Sequence, residues 1–167
     1  MIAPITTMNE QELKELIRST IGVVLTSLNF QGPVEHSNVV SAFELAYVNG
    51  DFGVSIEMNT LDHYIATFIY EASVEERFRP AYRDTNGKIQ KRYLTEILVT
   101  LGLIDRKKLQ ERNQKLRKLA SNFEKNAKVL CDEEANLLKQ WVPRLVLVKD
   151  SLFGMSKIEG APANFYF

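Results

Sequence analysis

The chain has 167 residues, 45% of them hydrophobic, and its 21 acidic and 21 basic side chains cancel. That composition supports one ordinary hydrophobic core and excludes a globally disordered protein. No apolar run approaches the roughly 20 residues that span a bilayer. Met1-Ile2-Ala3-Pro4 has neither the basic nor the apolar region of a signal peptide, and the lone Cys131 excludes an internal disulfide, so a cytoplasmic protein is expected.

The first predicted element is a helix over residues 9–28. Leu13, Leu16, Ile17, Ile21, Val24, Leu25 and Leu28 recur at three- and four-residue spacing and form one apolar stripe. Thr7 with Glu10, or Asn9 with Glu12, suits a capping box at its start. Gly32-Pro33 cannot continue a helix, so the segment from Asn29 to Pro33 ends it.

Residues 41–56 predict a β-hairpin, because Asn49-Gly50 supplies the positive φ angles of a tight turn. Taken as the two turn residues, they pair Tyr47 with Phe52, Leu45 with Val54 and Phe43 with Ile56, all on one face. Glu44 then falls opposite Ser55 on the other, solvated face. A third strand over 63–71 follows the turn at 59–62. Both its faces are apolar, and the larger area of Tyr64, Phe68 and Tyr70 points that face inward. Residues 74–92 read as a basic connection that has room for a short fourth strand at 81–83 or 88–90. A short helix over 91–101 should stop at Gly102.

From Asp105, a fitting N-cap, the sequence runs to Trp141 without Gly or Pro. Its stripe is Leu109, Leu116, Ala120, Phe123, Ala127, Leu130, Leu138 and Trp141, with Arg112 or Asn113 where a full seam would want a hydrophobe. One straight helix of this length would measure roughly 55 Å. Either it bends near Cys131-Asp132, or it projects and pairs with a second copy as a homodimer. Pro143 should end it, leaving residues 145–148 as a strand or arm and an apolar tail at 163–167 that packs on something. The expected class is α+β. An N-terminal helix packs on an antiparallel three- or four-stranded meander (1–104), followed by a long helix or helix pair (105–167), with both parts in one domain.

The charge is not spread evenly. Residues 1–76 carry eleven acids and two bases, and residues 77–128 carry fifteen bases and five acids. Such polarity bears on partners more than on fold. A phosphate-binding surface would use Lys107, Lys108, Arg112, Arg117 and Lys118. Against that, Phe123 is the only nearby aromatic, so no base-stacking platform is visible. The bland alternative is that the basic arm neutralises the acidic half.

No pattern in the sequence carries known chemistry. His63 follows Asp62, but a metal site needs more ligands than Cys131 adds, and a turn histidine explains it. Cys131 is followed by Asp132, Glu133 and Glu134, which disfavour a thiolate and suit a packing cysteine. No phosphate loop or nucleophile elbow is present. The chain is therefore expected to be no enzyme and to hold no cofactor or metal.

A leading helix, Leu28-Asn29-Phe30, the Phe43-Glu44-Leu45-Ala46-Tyr47 strand, Asn49-Gly50-Asp51-Phe52-Gly53-Val54-Ser55-Ile56, and Asp62-His63-Tyr64-Ile65-Ala66-Thr67-Phe68-Ile69-Tyr70 follow one another here. With Asn86-Gly87 and the Leu94 to Leu98 helix, residues 10–104 resemble many small bacterial cytosolic proteins, some of them toxin-immunity proteins. The resemblance implies a non-catalytic protein-binding module in bacterial conflict or stress. An acidic convex sheet face bearing Glu44, Glu57 and Glu71 would be its contact surface. Nucleic-acid association through the basic 77–128 region is the competing expectation.

Overall fold

Asn9 opens the first helix in the computed structural model, which describes residues 8–39, 42–59, 63–72 and 91–152. Its side-chain oxygen accepts the Glu12 backbone N–H at 2.8 Å, and its amide donates to the Glu12 carboxylate at 2.8 Å. Helix α1 (Glu10–Ile17) passes through a π-turn (Arg18–Gly22) into α2 (Val23–Ser27). The stripe explains the wide turn. Leu13, Ile17, Ile21 and Leu25 are all buried at strict four-residue spacing, and on a regular α-helix each such step overshoots a full turn by about 40°. A π-turn takes up part of that drift, which keeps all four on the core. Asn29, at φ 69°, ends the helix as expected.

The sheet is an antiparallel five-stranded meander in sequential order: β1 (Gln31–Val39), β2 (Ala42–Asn49), β3 (Phe52–Asn59), β4 (Tyr64–Glu71) and β5 (Lys91–Tyr93). Strand β1 was not anticipated from the sequence. Gly32 and Pro33 lie in it where the pairing to β2 slips between Gln31 and Val34, and an edge strand tolerates the missing proline N–H. At φ 130°, Gly32 lies so close to β2 that an added Cβ would sit 2.6 Å from the Ala46 carbonyl oxygen.

The hairpin register differs from the expectation by two residues. Asn49 pairs with Phe52 and Tyr47 with Val54, so Gly50 and Asp51 are the turn residues. Gly50 alone takes a positive φ, 62°, which is the first-position requirement of a type II′ turn. A two-residue slip leaves every side chain on its original face, so polar–apolar alternation cannot detect it. Strand β4 corrects a second expectation. Ile65 pairs with Met58 and Ile69 with Val54, which puts Ile65, Thr67 and Ile69, not the aromatic face, toward the helices.

After β5, α3 (Leu94–Thr100) stops at Gly102, φ 69°, as predicted. Asp105 caps α4 (Arg106–Ala120) by accepting the Lys107 N–H at 3.3 Å. The chain then breaks at Ser121-Asn122, not at Cys131-Asp132, and α5 (Phe123–Leu147) returns antiparallel to α4. The Asn126 side-chain amide donates to the Leu119 carbonyl at 3.0 Å, clamping that break. Pro143 does not end α5. Val142 and Leu145 are fully buried beside it, and their packing outweighs the hydrogen bond that proline removes. Residues 145–147 are therefore helical, and α6 (Lys149–Leu152) follows.

The helices cover one face of the sheet. Leu13, Ile17, Ile21 and Leu25 join Phe43, Leu45, Tyr47, Phe52, Val54 and Ile56 in a single core with Ala127, Cys131, Leu138 and Val142 of α5. Both halves of the chain thus share that core, and Leu109 and Leu116, expected as a free dimer seam, are buried within the chain. Of the basic connection at 74–92, residues 91 and 92 lie in β5; the rest of it, the Thr7 cap, the two proposed sites of a fourth strand and the tail at 163–167 lie outside the described residues.

Candidate functional site

Three places concentrate polar chemistry. The first is the sheet face turned away from the helices. Glu44, expected as a solvated contact residue, is 5% exposed. Its carboxylate lies 2.9 Å from the Lys91 ammonium and accepts the Ser55 hydroxyl at 3.0 Å. Glu57 is partly buried, accepts the Tyr64 hydroxyl at 3.0 Å and lies 3.7 Å from the same ammonium. Lys91 is also stacked over the Phe68 ring, 4.2 Å from its centroid. Only Glu71 is exposed. The acidic contact face therefore does not exist as anticipated: two of its carboxylates are spent on one buried lysine, because a buried charge needs a partner.

The second place is α4. Arg112 turns inward, whereas Lys107, Lys108, Arg117 and Lys118 are exposed. At about 100° per residue, Lys107, Lys108, Lys115 and Lys118 share one solvent-facing side with Glu111 among them. The ion pairs of α4 run to α5, Arg112 to Glu134 at 3.0 Å and Lys115 to Glu133 at 3.8 Å. Lys107, Lys108 and Lys118 make no ion pair among the described residues. Among the described residues of the basic stretch, it is Lys91, not these three, that pairs with carboxylates of the acidic half.

The third place is a cleft of about 380 Å³ between the start of β4 and the α4–α5 hairpin. Ile65, Leu116, Ala120 and Leu130 form apolar walls. Glu134, 2% exposed, contributes the inner polar end. Its two carboxylate oxygens are held by the Thr67 hydroxyl at 2.8 Å and the Arg112 guanidinium at 3.0 Å. Asn113, Arg117 and His63 also line the space. His63 is at φ 53° in the turn before β4, and its ring stacks on Phe123 with centroids 5.0 Å apart and planes 10° apart. A turn histidine is what the sequence implied; the stacking was not visible there.

Glu134 was legible only as an anomaly. It sits four residues after Leu130 and four before Leu138, which puts a carboxylate on the apolar stripe of α5. Thr67 between Ile65 and Ile69 is the matching anomaly in β4, and Arg112 the one in α4. Each breaks an apolar pattern, and the three meet.

Cys131 is a fully buried free thiol on α5, the setting of a packing cysteine. Burial, reinforced by the Glu134 and Asp132 charges and partly opposed by a hydrogen bond with Thr20, pushes its thiol up to about 12. Among the described residues, no group of three or more His, Cys, Asp and Glu side chains could hold a metal ion. No described helix is long and apolar enough to cross a membrane. In comparisons with known proteins, no family model, curated protein or solved structure matches the chain.

Proposed function

We propose that this protein is a non-catalytic module that binds an acidic protein partner through the solvent face of α4. The observation that carries the reading is that Lys107, Lys108 and Lys118 face solvent on one side of a helix with no ion pair among the described residues. Uncompensated like charges on a rigid helix speed encounter with an oppositely charged surface and fix its register. Glu111 within the cluster favours a patterned protein surface over a phosphate rail, which takes cations alone. The pattern of residues 10–104, which stops short of α4, is what suggests a bacterial, cytoplasmic, immunity-type setting for this module. That role uses α4 in place of the sheet face, since Glu44 is buried.

Affinity capture from native cells tests this, with wild type beside a Lys107→Glu/Lys118→Glu variant and bound material identified at low and high salt. The reading expects one acidic protein retained by wild type and lost in the variant or on raising the salt. If nucleic acid is what the lysines retain, or if wild type and variant retain the same material, the reading is overturned.

A further inference from the structure

The ion pairs inside the protein leave charge of opposite sign on two helices. Glu35 is paired with Lys14 and Arg18, Glu44 and Glu57 with Lys91, and Glu133 and Glu134 with α4. Glu12 and Glu15 of α1 are different: both are exposed, and neither makes an ion pair among the described residues. Their hydrogen bonds are local, from Asn9 to Glu12 and from Gln11 to Glu15. Three residues apart, they share one side of the helix. On α4 the excess is positive. Arg106, Lys107 and Lys108 fill its first turn with no acid beside them. Cations at a helix N-terminus oppose the macrodipole, so helix stability does not account for them. Their charge adds to that of the helix end. Within one copy the two faces stand apart. Glu35 ties α1 to β1, whereas α4 is tied through Glu134 to Thr67 of β4, three strands across the sheet.

We infer that α1 of one copy docks on the solvent face of α4 of a second copy, so that the protein associates with itself head to tail. Charge complementarity selects the occupant: Glu12 and Glu15 are exposed carboxylates on one rigid helix face, and Lys107, Lys108 and Lys118 are their counterparts. The two faces differ, so the contact is heterologous, and each copy keeps one acidic and one basic face for the next. Exposed ion pairs are individually weak and are screened by salt. The assembly is therefore reversible, promoted by concentration and dissolved by salt. It rests on the same α4 face as the docking proposed above, where a second copy and an acidic protein compete.

Sedimentation velocity of the full chain tests this over about 0.02–1 mM protein, at about 20 mM and about 300 mM salt. The wild type should gain mass with concentration at low salt and return to monomer at high salt, a readout that needs no variant. Glu12→Gln/Glu15→Gln removes the acidic face, and Lys107→Glu/Lys118→Glu removes the basic one. All four positions are exposed, and a glutamate in the first turn of α4 suits the dipole, so both variants keep the fold. Each alone should be monomeric. Mixed in equal amounts they should form a dimer and grow no further, because each supplies only the face that the other lacks. A wild type that stays monomeric throughout, variants that associate as wild type does, or an equal mixture that stays monomeric each overturn the inference. A monomeric wild type that still retains an acidic protein through α4 overturns this inference and leaves the docking intact. Self-association as expected, with no acidic protein captured, supports this inference and overturns the docking.

Discussion

The Arg112 guanidinium lies 3.0 Å from the Glu134 carboxylate, joining the inner faces of α4 and α5 across the helical hairpin. Glu134 is almost fully buried and also accepts the Thr67 hydroxyl, so this one carboxylate ties both helices to β4. Replacing Arg112 with Ala strands a buried charge and is expected to cost about 3–5 kcal/mol, whereas Arg112→Met with Glu134→Leu should cost much less. Urea unfolding of the single and double variants measures both. Equal losses would mean that the pair contributes net stability beyond mutual compensation.

Gly53 on β3 lies under Tyr70 of β4. A Cβ at Gly53 would come within 2.2 Å of the ring, and Tyr70 is fully buried, so the ring cannot simply swing aside. Gly53→Ala is expected to destabilise by about 1–3 kcal/mol through overpacking. Tyr70→Leu made in the same chain should recover part of that loss. A double-mutant cycle from thermal or urea melts reads the coupling, and additive losses would place the strain elsewhere.

Glu35 on β1 faces Lys14 and Arg18 of the first helix. The hydrogen bond from Lys14, opposed by desolvation and assisted by Arg18, holds its carboxyl below the ordinary 4.5. A carboxyl lowered on folding contributes stability above its unfolded pKa and loses it as pH falls through the folded value. Since Glu35 is well exposed, the contribution is small, about 0.2–1 kcal/mol. Glu35→Gln should therefore lower stability slightly at pH 7 and match wild type well below pH 4.5. Unfolding curves at the two pH values check the sign.

The Cys131 thiol, pushed up to about 12 by burial, should resist a thiol-disulfide reagent at pH 8 in the folded protein. Labelling is expected only through opening of α5, at a rate that rises with urea. Fast labelling of native protein would contradict its placement in the core.

Local chemistry makes several elements readable in the sequence alone. The four-residue spacing of Leu13, Ile17, Ile21 and Leu25, the Asn9 and Asp105 caps, and Gly102 as a helix stop are each decided by neighbours a few residues apart. The α+β class follows from the same signals. Between residues far apart in sequence, the alternatives are close in energy. A two-residue hairpin slip keeps faces intact, the two faces of β4 are both apolar, and Gly32-Pro33 is as compatible with an edge strand as with a loop. Tertiary packing chooses among them. Packing also sends the chain back at Ser121-Asn122 and carries α5 through Pro143, because burying Val142 and Leu145 outweighs one backbone hydrogen bond. The polar groups are the least readable part. Glu44, Glu57 and Lys91 are distant in sequence, as are Thr67, Arg112 and Glu134. Composition shows only that the charges are present, since which of them face water is decided by the fold that buries them.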